Sequence, residues 1–75
     1  MSIPPEDRAI DLITHWLTGQ INDDVIRAEL TTEGLAGEGA EAVGELIDEL
    51  NKPETSRGHL NMVARETVEA LALSG

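Results

Sequence analysis

The sequence predicts an all-α protein, a single domain over residues 1–75 in which four helices, at about 5–18, 23–32, 40–51 and 56–73, gather in an antiparallel cluster. Apolar residues recur at helical spacing in four separate stretches, and nowhere do they alternate with the period of two that a half-buried strand requires. Proline and clustered glycine punctuate the gaps between those stretches. With no cysteine, phenylalanine or tyrosine in the chain, the core must be aliphatic apart from Trp16. A chain of 75 residues buries only about 60% of the surface its unfolded form exposes, so helix packing or oligomerisation must supply stability that no disulfide can.

Pro4 and Pro5 open the first helix, because proline suits the first helical position, where its missing N–H is not needed. Glu6 and Asp7 then lie against the positive end of the helix dipole. Ile10, Leu12, Ile13, Trp16 and Leu17 form the apolar half, with Trp16 expected to be substantially buried, and Gly19 is the natural stop. On the polar half His15 stands one turn from Asp11, where the two can pair. Asn22 caps the second helix, and Ile21 before it can staple against Ile26. That helix pairs Ile26 with Leu30 and Val25 with Ala28, and it is expected to end on a left-handed Gly34 that turns Leu35 back onto Leu30.

Three glycines between Gly34 and Gly39 predict a turn ahead of the third helix. In that helix Val43, Leu46, Ile47 and Leu50 recur at i, i+3, i+4 and i+7, while Glu38, Glu41, Glu45, Asp48 and Glu49 fall opposite. Gly44 costs about 1 kcal/mol in a helix interior, which suggests close approach of a neighbouring backbone. Lys52, reachable from Asp48, is the one base near these acids, and Pro53 ends the helix. Thr55 and Ser56 are alternative caps for the fourth helix, whose stripe is Leu60, Val63, Ala64, Thr67, Val68 and Leu71. Met62 and Leu73 point to its far side, surplus to a single core face.

Fifteen acidic against five basic residues give a net charge of −10, which repels phosphate backbones and anionic lipid surfaces. Direct nucleic-acid binding is not expected, and a helix-turn-helix reading fails because the would-be recognition helix carries four acids and no base from Glu41 to Glu49. No membrane span is expected, since the longest apolar run is the four residues Ala70 to Leu73. The first residues lack the charge and apolar run of a signal peptide, and the missing cysteine fits a reducing cytosol, so the expected location is cytoplasmic.

Enzymatic chemistry finds little to work with. The internal Ser56 is explained as a cap, and neither His15 nor His59 sits in a motif. Zinc would need histidines or cysteines at short spacing, and neither Asn22, Asp23 and Asp24 nor Glu33 to Glu41 has the ligand spacing of a calcium loop, so no metal and no cofactor are expected. The glycine-rich run follows a helix rather than a strand and carries Glu38 where a phosphate would sit. Acyl carrier proteins share the size, acidity and helical character, but their attachment serine in an Asp-Ser-Leu setting has no counterpart, because Ser56 lies between Thr55 and Arg57.

Two function classes follow. The first is a non-enzymatic interaction module that docks a basic protein partner through Glu38, Glu41, Glu45, Asp48 and Glu49, with nucleic-acid mimicry as a variant. The second is a homodimer or assembly subunit that meets its copy through Met62 and Leu73 of the fourth helix.

Overall fold

Burial of apolar stripes, more than intrinsic helix propensity, decides where the helices of a small domain begin and end. The computed structural model describes residues 3–74. Among them it holds four helices and no strand: α1 (Pro5–Leu17), α2 (Asp23–Thr32), α3 (Gly37–Leu50) and α4 (Arg57–Ser74). They form a four-helix bundle in which α3 and α4 pack most extensively, α1 lies against α4 and α2, and α2 makes a lighter contact with α3.

α1 starts with Pro5 as its first helical residue and buries Ala9, Ile13 and Trp16, the last only 5% exposed. Its end is a Schellman motif. Gly19 takes φ +82°, its N–H donates to the Trp16 carbonyl, and the N–H of Gln20 donates to the His15 carbonyl. His15 and Asp11 are both exposed, with no ion pair between them. Asn22 caps α2 as expected, its side chain accepting from the Val25 N–H at 2.9 Å. Ile26 and Leu30 are buried, whereas Val25 and Ala28 face water.

The junction from α2 to α3 departs from expectation twice. Glu33, in an extended conformation, ends α2, and Gly34 has no positive φ, so there is no left-handed cap at that position. Leu35 still packs against the core, carried there by extended chain. The positive φ falls instead on Gly37, at +63°, and the helix starts there rather than at Ala40. The reason lies in register: buried Gly39 stands at i, i+4, i+7 and i+11 with buried Val43, Leu46 and Leu50, so the core stripe runs one turn further upstream than its large side chains reveal.

α4 is capped by Ser56, whose hydroxyl accepts from the His59 N–H at 3.1 Å, and it buries Leu60, Ala64, Thr67 and Leu71. The Thr67 hydroxyl lies 2.8 Å from the Val63 carbonyl oxygen and 3.3 Å from that of Ala42 across the helix interface. Ala42 near the start of α3 thus faces the second half of α4, and Glu49 near its end faces Thr55 and His59, so the two helices run antiparallel. Among the described residues, every buried side-chain nitrogen and oxygen has a hydrogen-bond partner.

Candidate functional site

At about 100° per residue, the turns of α3 bring Glu38, Glu41, Glu45 and Asp48 within about a quarter of its circumference, opposite Val43, Leu46 and Leu50. All four side chains are exposed, and none forms an ion pair among the described residues. Three of the five bases of the chain are engaged elsewhere: Arg27 with Asp24, Arg57 with Asp23, and Lys52 with Glu49. The sequence suggests that Lys52 relieves Asp48, but Lys52 pairs with Glu49 instead.

Glu49 stands apart from the other four acids. Its side chain is only 20% exposed and turns toward the α3–α4 corner, where Thr55 Oγ1 donates at 3.2 Å, Lys52 Nζ lies at 3.4 Å and His59 Nε2 at 3.5 Å. Partial burial would raise its carboxyl pKa, but the Thr55 hydroxyl, Lys52 and His59 together hold it below the usual value. Glu49 ties two helices together and is not part of the open face. His59 lies at this corner on the exposed start of α4, a position that suits an ion pair.

A second polar junction joins three helices. The Trp16 indole N–H donates to Asp23 Oδ1 at 2.7 Å, Arg57 donates to the same oxygen at 3.2 Å, and the Arg57 guanidinium lies 5.5 Å from the centre of the Trp16 ring. The indole hydrogen bond lowers the Asp23 pKa, with Arg57 and Arg27 adding to the effect against a smaller opposing contribution from burial. A cleft of about 670 Å³ opens beside this junction, but its charged groups are already paired: Asp23 with Arg57 in the cleft wall, and Asp24 with Arg27 outside it.

Gly44 does not serve close approach of a neighbouring backbone. A Cβ built on it would meet nothing within 4 Å. It lies instead in an open groove of about 230 Å³ between α2 and α3, together with Leu30, Leu35, Ala40, Val43 and Ile47. Sequence periodicity gave no sign of this groove. The unexplained cost of Gly44 was the one trace of it, and it pointed to a neighbour that the fold does not supply.

The second pair of candidate residues, Met62 and Leu73, are 50% and 85% exposed on the outer side of α4. They stand eleven residues apart, about 16 Å along the helix, with exposed Glu66 and Glu69 between them, and so form no continuous apolar patch. Among the described residues, no three His, Asp or Glu side chains converge as metal ligands would, and no helix is long and apolar enough to cross a membrane.

The fold and its surface thus define a small acidic helical bundle in which α3 carries four exposed acids that form no ion pair among the described residues. The chain matches no protein-family model, and no curated protein and no solved structure is significantly similar to it.

Proposed function

We propose that this protein is a non-enzymatic interaction module that docks a basic protein partner through the acidic face of α3. One observation supports the reading: Glu38, Glu41, Glu45 and Asp48 share one exposed face and form no ion pair among the described residues. Like charges at i, i+3 and i+4 weaken a helix by a few tenths of a kcal/mol per pair, a cost that a cationic partner would turn into attraction. The net charge of −10 adds long-range steering of such a partner. Docking of this kind needs no cofactor, and we assign it to the cytoplasm, where a cysteine-free chain is at no disadvantage.

The alternative, self-association through Met62 and Leu73, has less support, because Glu66 and Glu69 interrupt the surface between them. Mimicry of nucleic acid is the form the docking would take if the partner were itself a nucleic-acid-binding protein.

The test is capture of partners from native-host extract with the full chain and with the Glu41→Lys, Glu45→Lys, Asp48→Lys variant. Glu49 is left intact because it holds α3 to α4. The expected result is a partner retained at physiological salt, released at high salt and absent with the variant, while helicity and melting stay those of a folded bundle. A partner held equally well by the variant would contradict the acidic-face reading.

A further inference from the structure

The α2-facing flank of α3 joins two features that separately say little: an apolar groove and an unpaired acidic rim. The floor is Leu30 and Leu35 on one side and Ala40, Val43, Gly44 and Ile47 on the other. No close contact among the described residues explains Gly44, since a Cβ there would meet nothing within 4 Å. On the helix surface the immediate neighbours of Gly44 are Glu41 at i−3 and Asp48 at i+4, both exposed, and Glu33 borders the groove from the end of α2. None of these three acids forms an ion pair among the described residues. Arg27, the only base in α2, is bound to Asp24 and to Asn51.

We infer that this groove seats the apolar face of a basic amphipathic helix from another protein, with one or two large aliphatic side chains over Gly44 and flanking lysines or arginines on Glu33, Glu41 and Asp48. The inference rests on the docking function proposed above and adds the apolar anchor and the helical form of the partner. Helix-in-groove recognition uses anchors at i, i+3 or i+4, and i+7, with charge on either side to fix register. About 230 Å³ is smaller than the roughly 300–1,000 Å³ of sites that enclose small ligands, and it suits side chains laid in from outside. A second copy of this chain is excluded as the occupant by charge, because it would bring a net −10 against an already negative rim.

The test uses two synthetic helical peptides with the same lysines: one with leucine at i, i+3, i+4 and i+7, the other with alanine at those positions. Each is titrated into the isotope-labelled full chain, and binding is followed by methyl and amide chemical shifts. The leucine peptide is expected to bind at least about tenfold more tightly and to shift the methyl groups of Leu30, Val43 and Ile47. Gly44→Leu, which fills the floor without changing charge, is expected to remove that advantage and leave the weak, salt-sensitive binding of the alanine peptide. Equal binding of the two peptides, with shifts confined to amides of the acidic face, would overturn the groove and leave the docking face standing. Leucine-dependent shifts located on the outer side of α4 would also overturn it. Absence of binding by both peptides at low salt would remove the groove and the docking face together. The footprint on the unsubstituted chain decides the matter even if Gly44→Leu does not fold.

Discussion

Along its α4 side, α3 is closed by large buried side chains, by the Thr67 hydroxyl near the Ala42 carbonyl, and by Glu49 held between Thr55, Lys52 and His59. Along its α2 side the same helix leaves a groove, a glycine whose Cβ position is open, and acids that form no ion pair among the described residues. Fourteen residues of one helix thus carry two kinds of edge. The closed edge is where stability resides, since burying a large aliphatic side chain contributes about 1.5–3 kcal/mol. The open edge rests on buried Leu30 and Val43, but its outer residues, Ala40, Gly44 and Ile47, are only partly covered and are free to be shaped by something outside the chain.

The largest separation between the edges should appear on truncation of adjacent residues. Leu46→Ala removes a fully buried side chain and should cost about 2–5 kcal/mol, enough to unfold much of a domain this small. Ile47→Ala removes one that is only partly buried at the groove, and should cost about half as much or less. Denaturant midpoints measure both, and equal costs would mean that the two edges are equally packed. On the closed edge, Thr67→Val keeps the shape and loses the hydroxyl, for an expected loss of about 0.5–1.5 kcal/mol in the same assay.

Acid should act on the polar junctions before the open face. Asp23 and Glu49 have folded-state pKa values below their ordinary ones, so each contributes stability that is present above its unfolded pKa, near 4, and is lost as the pH falls through the lower folded value. Melting temperature should therefore drop below about pH 4.5, and Asp23→Asn or Glu49→Gln should flatten that drop. Unchanged pH profiles in both variants would show that the junctions do not couple to folding. The smallest effect belongs to the open face, where Glu45→Lys should pair with Glu41 and raise stability by about 0.2–0.5 kcal/mol while weakening capture of a basic partner. Glu49, engaged at the corner, adds no second pair.

The closed edge was also the more legible one in the sequence. Large apolar residues at helical spacing are a strong signal, and they located the core of all four helices, the burial of Trp16 and the exposure of Met62 and Leu73, while residue type marked the cap at Asn22 and left Thr55 and Ser56 as alternatives, of which Ser56 is the cap. What stayed hidden depends on groups that are small or distant. Gly39 has no side chain to mark its place in the stripe, so the start of α3 was set a turn too late. The contacts of Asp23 with Arg57 and of Glu49 with His59 join residues on different helices, and local charge spacing placed Glu49 on the face it leaves. A groove is a space between two helices, and neither helix's periodicity encodes it.

The contrast between the two edges is tested most directly by adding the same side chain to each. Gly44→Leu enters open space and replaces a poor helix former with a good one, so the denaturant midpoint should rise by the equivalent of about 1 kcal/mol. Ala64→Leu forces extra volume into a fully buried position of α4, where the midpoint should fall by the equivalent of about 1–3 kcal/mol. Opposite signs are the predicted result. A fall in both variants would show that the α2 side of α3 is packed in solution, and would contradict the account of an edge left open for a partner.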